Sequence, residues 1–182
     1  MAQTLGMLEF NSIAKGIETC DVMLKAARVD LIRTSTVCPG KYISIIFGDT
    51  GAVKASIQAG QLNGGDSVVD VMQIQNVHPQ LIPAISGTAQ PVKGDAIGVM
   101  EFYSISSAIK AADVAAKNAQ ISLIDIVTGF AIGGKGYVTL TGDVGAVRAA
   151  VAAGCEEAGK SGLLVGSTVI PKYAQQLYDS LL

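Results

Sequence analysis

The sequence predicts an α+β fold made of two tandem ferredoxin-like domains, each with the split βαβ order of elements. One observation behind this prediction is that the chain of 182 residues repeats itself after about 90 residues. Another is that both halves show the same predicted order, strand–helix–strand–strand–helix–strand. In addition, hydrophobic residues make up 49% of the chain, which gives each half enough apolar side chains for a core.

The repeat covers the first helix and the middle of each half. Residues 5–32 align with residues 97–124 at an offset of 92. The segment GDTGAV at 48–53 aligns with GDVGAV at 142–147, where the offset has become 94. A similarity this long and nearly collinear indicates a duplicated domain.

The end of the repeat sets the predicted domain boundaries. We expect the offset to return to 92 where VHP at 77–79 resembles VIP at 169–171. Domain 1 is therefore predicted over residues 1–88 and domain 2 over residues 95–182. The segment that joins them is small and polar and contains a proline, as linkers commonly do.

The first two elements of the first half have clear local signals. Thr4–Phe10 alternates in polarity, which predicts a strand. Ser12 is a favourable N-cap, and the residues after it place apolar side chains on one predicted helical face. These are Ile13, Ile17, Cys20 and Leu24 in the first half, and Ile105, Ile109, Ala112 and Ala116 in the second.

The remaining elements follow from strand and turn patterns. Val29–Thr36 and Lys41–Phe47 are predicted as strands on either side of a Cys-Pro-Gly turn. A helix from about Gly51 to Gln61 and a strand from Val68 to Gln75 complete the half.

Composition excludes several classes of protein. The net charge of −2 and the pI of about 5.3 argue against nucleic-acid binding. No stretch reaches the roughly 18 apolar residues of a membrane span, and the amino terminus lacks the pattern of a secretory signal. The three cysteines are widely spaced, which favours a reducing cytoplasm over a disulfide framework. With a mean hydropathy of +0.44, we expect surplus apolar surface to be buried at subunit interfaces.

Several motifs resemble one protein family. They are a strand with Gly-x-x-Glu, a helix with Asp-x-x-x-Lys, and the segments NSIAKGIE (11–18), TVCPGK (36–41), NVHPQLIPAISG (76–87) and FAIGGKGY (130–137). The chain resembles the shell proteins of bacterial microcompartments, and within them the tandem-domain, PduT-like type from propanediol-utilisation and related compartments. The resemblance implies two BMC domains per chain, a homotrimer that mimics a hexamer, and neighbouring shell proteins as partners, in a shell that lies in the cytoplasm.

The resemblance also implies a central pore lined by one loop from each domain. In PduT-like members the cysteine that matches Cys38 gives one thiolate per subunit to a [4Fe–4S] cluster on the three-fold axis. The other residues expected in the pore loops are Val37, Pro39 and Gly40 in the first domain and Phe130, Ala131, Ile132, Gly133 and Gly134 in the second.

Four further residues are expected at the edge of the trimer. Lys25 and Lys117 end the first helix of each domain, where a positive charge also favours the helix C-terminus. The resemblance places these lysines, His78 and Lys172 near contacts with neighbouring shell proteins, although many shell domains carry Arg where Lys172 stands. Cys20 and Cys155 lie on apolar helical faces and are predicted to be packing residues.

Three functions remain open from the sequence. The first is a structural shell protein whose cluster handles electrons or is itself moved across the shell, with luminal or cytosolic redox proteins as partners. The second is a shell protein with a plain metabolite pore and no cluster. The third is a ferredoxin-like regulatory protein that binds a small ligand between subunits. Enzymatic activity is not expected, because no nucleophile, base or metal cage is evident in the sequence.

Overall fold

The chain divides into two compact units in the computed structural model, which describes residues 3–161 and 163–182. Unit 1 is Met1–Val77 and unit 2 is His78–Leu182. Each unit contains one four-stranded antiparallel sheet with two long helices. In the described residues, every helix is too short or too polar to cross a membrane.

Unit 1 has the predicted split βαβ order. Its elements are β1 (Gln3–Phe10), α1 (Ile13–Ala26), β2 (Asp30–Val37), β3 (Lys41–Asp49), α2 (Thr50–Gly64), a short 3₁₀ turn (Gly65–Ser67) and β4 (Val68–Gln75). The strand order in the sheet is β2-β3-β1-β4, so the first strand pairs with both β3 and β4. The helical connection from β1 to β2 therefore skips over β3, which is what defines the fold class.

Unit 2 repeats this plan and adds a short helix at each end. Its elements are α3 (Leu81–Ser86), β5 (Ala96–Phe102), α4 (Ile105–Asn118), β6 (Ser122–Thr128), β7 (Gly136–Gly142), α5 (Val144–Gly159), β8 (Leu164–Pro171) and α6 (Gln175–Asp179). The sheet order β6-β7-β5-β8 is the order of unit 1. The predicted fold class is confirmed in both halves.

The first helix of each unit starts at the predicted cap. The hydroxyl of Ser12 accepts a hydrogen bond from the Lys15 N–H, and that of Ser104 accepts one from the Ser107 N–H, each at 3.3 Å. Such a bond satisfies one of the N–H groups that the first helical turn leaves without a partner. The duplication thus extends to the details of helix capping.

The predicted apolar face of α1 is wrong in part. Cys20 is buried as predicted, but Ile13 is 37% exposed and Ile17 is 54% exposed. Gly16 lies on the buried face instead. Because Gly16 has no side chain, the ring of Tyr42 packs closely there, and a Cβ added to Gly16 would lie 2.7 Å from that ring. The apolar residues predicted on the equivalent face of α4, which are Ile105, Ile109, Ala112 and Ala116, are all buried.

The predicted return of the repeat to an offset of 92 is also wrong. In the sheets, Phe10 pairs with Val68 and Phe102 pairs with Leu164, so the last strands are 96 residues apart. The two residues of positive φ that follow these strands, Asn76 (52°) and Lys172 (50°), have the same spacing. Residues 169–171 therefore lie within β8, whereas residues 77–79 follow β4.

Helix α5 offers a matched pair of glycines for a stability test. A Cβ on Gly154 would lie 2.9 Å from the carbonyl oxygen of Ala111, whereas one on Gly145 would meet nothing within 4 Å. Gly154→Ala should lower the free energy of unfolding by about 1–3 kcal/mol, because a backbone atom of α4 has to move. Gly145→Ala should leave it unchanged or raise it by up to about 1 kcal/mol. Denaturant unfolding at one protein concentration compares them, and equal effects would contradict this packing.

Candidate functional site

The turn between β2 and β3 carries Cys38. Val37 ends β2 with only 3% of its surface exposed, while Cys38 is half-buried and Pro39 and Gly40 are exposed. The Cys38–Pro39 peptide bond is cis, and Gly40 has a φ of 69°, which an L side chain rarely adopts. The turn thus starts at a buried residue and presents a partly accessible thiol at the end of a hairpin.

The equivalent connection in unit 2 is longer and has no cysteine. Residues 129–135 contain three glycines of positive φ, and Ala131 also has a positive φ of 59°. Phe130 is 65% exposed, Ala131 and Gly133 are exposed, and Ile132 is half-buried. This connection offers backbone groups and an apolar ring to its surroundings, with Lys135 at its end.

Each of these two connections is tied to the central strand of its sheet by an ion pair. Lys41, just after the first turn, binds the carboxylate of Glu9 on β1. Lys135 binds Glu101 on β5 at 2.8 Å. These pairs are not evident from sequence patterns alone, although the recurrence of both the glutamate and the lysine at matching positions of the repeat is a signal for them.

The two pairs differ in their exposure to solvent. The side chain of Glu9 is 5% exposed and that of Lys41 is 29% exposed, whereas Glu101 and Lys135 are exposed by 39% and 37%. The hydrogen bond to Glu101, together with the charge of that carboxylate, raises the pKa of Lys135 above its ordinary value. The Lys135 ammonium also lies 5.9 Å from the centre of the Tyr103 ring.

The residues predicted at the trimer edge lie in different surroundings. In unit 1, Lys25 pairs with Asp21, and both side chains are largely exposed. In unit 2, Lys117 pairs with Asp113, whose side chain is only 7% exposed. The backbone N–H of His78 donates to the same Asp113 carboxylate at 2.8 Å, so the structure brings His78 and Lys117 together.

Lys172 is held through its backbone. Its backbone N–H donates to the Asp95 carbonyl at 2.8 Å, and its φ is 50°. Cys155 on α5 is half-buried, so its predicted packing role is only partly matched.

Metal binding within a single chain has little support among the described residues. Residues 3–161 and 163–182 contain no group of three or more His, Cys, Asp or Glu side chains placed to hold a metal ion. A surface cavity of about 360 Å³ in unit 2 is lined by prolines, glutamines and small or aliphatic residues, with no ionisable side chain.

Sequence comparisons give a consistent result over the whole chain. The BMC domain family matches residues 4–77 and 96–173. The bacterial microcompartment shell protein PduT of Citrobacter freundii is 41% identical over 181 residues, which is 100% of this chain and 98% of that protein. The carboxysome shell protein CsoS1 of Prochlorococcus marinus is 36% identical over 88 residues, which is 47% of this chain and 85% of that protein.

Solved structures agree with the sequence comparisons. The crystal structure of a microcompartment protein from Desulfitobacterium hafniense is 48% identical, with a TM-score of 0.94, and the match covers 97% of this chain and 98% of that one. A fused, permuted hexameric shell protein of the RMM microcompartment is 23% identical, with a TM-score of 0.58, over 87% of this chain and 84% of that one. The second likeness concerns the fold alone.

The difference in burial between the two ion pairs gives a testable difference in stability. Lys41→Met should lower the free energy of unfolding by about 1–3 kcal/mol, because it leaves the buried Glu9 carboxylate without its partner. Lys135→Met is the matched control and should cost less than about 1 kcal/mol, because water solvates Glu101.

Thermal and urea unfolding of the two variants checks this expectation. The double variant Glu9→Gln/Lys41→Met should recover part of the loss, since it no longer contains the unpaired charge. Equal losses for Lys41→Met and Lys135→Met would contradict a structural role for the buried pair.

Proposed function

We propose that this chain, which belongs to the BMC domain family of bacterial microcompartment shell proteins, forms a trimeric, PduT-like building block of a microcompartment shell. The observation that carries the proposal is the match of both halves to the BMC domain, together with full-length similarity to PduT. The role of the family is structural, and the place of action is the shell. The family match argues against the regulatory ligand-binding interpretation.

The number of domains in the chain supports a trimer. Two domains of the same fold lie in one chain, so three chains bring six domains to one closed ring. The family resemblance implies this pseudohexamer, with other shell proteins at its edges. An apolar chain with few charges is consistent with such extensive contacts between subunits.

A [4Fe–4S] cluster shared by the three Cys38 thiolates is the finer part of the proposal. Thiolates are the ligands that iron–sulfur clusters require, and Cys38 is partly accessible in a turn at the end of a hairpin. Cys20 is only 6% exposed on the inner face of α1, so it does not offer an alternative ligand. One cysteine per turn gives three ligands in a trimer, which fits a cluster held on the symmetry axis.

The residues around Cys38 have distinct tasks in this proposal. Cys38 Sγ would bind iron, while the buried Val37 and the Glu9–Lys41 ion pair fix the two ends of the turn. Gly40 permits the positive φ, and backbone N–H groups of the turn would donate to cluster sulfurs. When bound, the cluster would supply a redox centre for electron transfer across the shell, or be itself transported, with luminal or cytosolic redox proteins as partners.

A metabolite pore without a cluster is the second candidate. It is favoured by the second pore loop, where Phe130 is exposed and glycines dominate the backbone. Such a loop gives a narrow apolar rim and carbonyl and N–H groups that small polar metabolites can bind. The two candidates differ in whether iron is bound at Cys38.

Anaerobic reconstitution with iron and sulfide tests the cluster. The wild-type protein should bind roughly four iron atoms per three chains and show a broad visible absorbance band. Cys38→Ser should lose both the iron and the band, because the thiolate ligand is removed. Cys155→Ser is the matched control and should keep both, since it changes another partly accessible cysteine.

Two results would contradict the cluster proposal. One is wild-type protein that binds no iron under these conditions, which would leave the metabolite pore as the function. The other is a Cys38→Ser variant that keeps its iron, which would place the metal elsewhere. Neither result would affect the assignment to the shell, which is tested separately by co-assembly with other shell proteins.

A further inference from the structure

The two long helices of unit 1 meet at a polar position that carries a carboxylate. The Lys15 ammonium on α1 lies 2.9 Å from Glu18 Oε1, and the side-chain amide of Asn63 on α2 donates to the same oxygen at 3.4 Å. The hydrogen bond from Lys15, followed by the one from Asn63 and the charge of Lys15, lowers the pKa of Glu18 below its ordinary value. This position therefore stabilises a carboxylate that the chain itself supplies.

Unit 2 has different residues at the equivalent position between α4 and α5. The counterparts at the repeat offsets of 92 and 94 are Ser107 for Lys15, Lys110 for Glu18 and Glu157 for Asn63. The carboxylate of unit 1 is thus replaced by an ammonium group, and a long lysine side chain is replaced by a short serine. These exchanges leave space at the position and reverse the charge that α4 brings to it.

A cavity of about 190 Å³ lies at this position in unit 2. It is lined by Ser107 and Lys110 of α4, by Glu157 and Ala158 of α5, and by Lys160 and Ser161 just after α5. Sites for drug-sized ligands are larger, at about 300–1,000 Å³, whereas one water molecule takes up about 30 Å³ in the liquid. The cavity therefore has the size for a ligand of a few non-hydrogen atoms.

The hydroxyl of Ser107 is a buried polar group that faces this cavity. Ser107 is 7% exposed, and its backbone N–H donates to the Ser104 hydroxyl at 3.3 Å. Its own hydroxyl has no hydrogen-bond partner among the described residues. A buried hydroxyl without a partner costs free energy, so an acceptor in the cavity is favoured.

The charges around the cavity favour an anion. Lys160 pairs with Glu157 at 2.6 Å, and this hydrogen bond, together with the charge of Glu157, raises the pKa of Lys160 above its ordinary value. Within residues 3–161 and 163–182, Lys110 has no carboxylate partner. Two lysines against one glutamate give the lining one net positive charge, and Lys110 is the cation available to a ligand.

The helix ends at the cavity are compatible with a negative charge. Ser107 lies in the first turn of α4, where the helix carries a partial positive charge. At the end of α5 the Ala158 carbonyl accepts the N–H of Ser161 at 3.0 Å and its hydroxyl at 2.7 Å. This carbonyl is therefore satisfied by the chain, and its partial negative charge is offset.

We propose that this cavity of unit 2 binds a small carboxylate, a free organic acid of a few carbon atoms. A carboxylate oxygen accepts the hydrogen bond of the Ser107 hydroxyl, and the Lys110 ammonium pairs with the same group. The short alkyl end lies against Ala158, which is 4% exposed. The ligand supplies from outside the carboxylate that Glu18 supplies in unit 1. This site is independent of Cys38 and of the proposed trimer.

Ligand-observed NMR with acetate, on the full chain in its native oligomer, tests the site. The wild-type protein should bind acetate saturably, with a Kd of about 1–10 mM, because so small a ligand makes few contacts. Acetamide has nearly the same shape without the charge and should bind at least about tenfold more weakly. Absence of saturable acetate binding, or equal binding of acetate and acetamide, overturns the proposal.

Single substitutions on α4 locate the binding. Lys110→Gln should raise the Kd for acetate at least about tenfold, and Ser107→Ala about three- to tenfold, because each removes one of the two polar contacts. Lys54→Gln, at an exposed lysine of α2, is the matched control and should leave the Kd unchanged. A Lys110→Gln protein that binds acetate as the wild type does would show that the site is wrong.

A double variant, Ser107→Lys/Lys110→Glu, builds the ion pair of unit 1 into unit 2. It should keep the wild-type mass and helical circular dichroism, because unit 1 already accommodates these residues at the equivalent position. It should lose acetate binding, because the new carboxylate occupies the cavity. A folded double variant that still binds acetate contradicts the proposal. If the double variant does not fold, Lys110→Gln decides, since that substitution changes an exposed side chain.

Inorganic phosphate distinguishes carboxylate recognition from general anion binding. It should bind more weakly than acetate in the same NMR measurement, because its second negative charge lies close to the Glu157 carboxylate. Phosphate that displaces acetate and binds more tightly would overturn the assignment of a carboxylate.

Discussion

Close packing of a helix on the central strand is the contact on which both units depend. Gly6 on β1 and Gly98 on β5 occupy equivalent positions, and an added Cβ at either would lie 2.8 Å from side chains that fill the core. At Gly6 the nearest neighbour is Val53 of α2, and at Gly98 it is Leu140 together with α5. The repeated glycine lets the second helix approach the sheet, and this fixes the layer against which the rest of each unit packs.

The glutamate three residues after that glycine links the same strand to the loop between the second and third strands of each unit. Glu9 and Glu101 hold the lysines that follow the two loops, so each loop has a fixed end while its tip is free to differ. In unit 1 the tip is a short turn with Cys38, and in unit 2 it is a longer run rich in glycine. Duplication thus lets the two halves keep one fold while their loops differ in length and in chemistry.

The sequence predicts this fold well because its signals are local, and it fails where partners are distant. The cap at Ser12 and the first strand are decided within a few residues, and the structure has both, although β1 is buried along nearly its whole length rather than at every second residue. The buried face of α1 is decided by Tyr42 from another strand, so an apolar period alone assigned Ile17 to the wrong side. The position of Cys38 in a turn was predictable for the same local reason, whereas the pairing of Lys41 with Glu9 depends on two strands coming together.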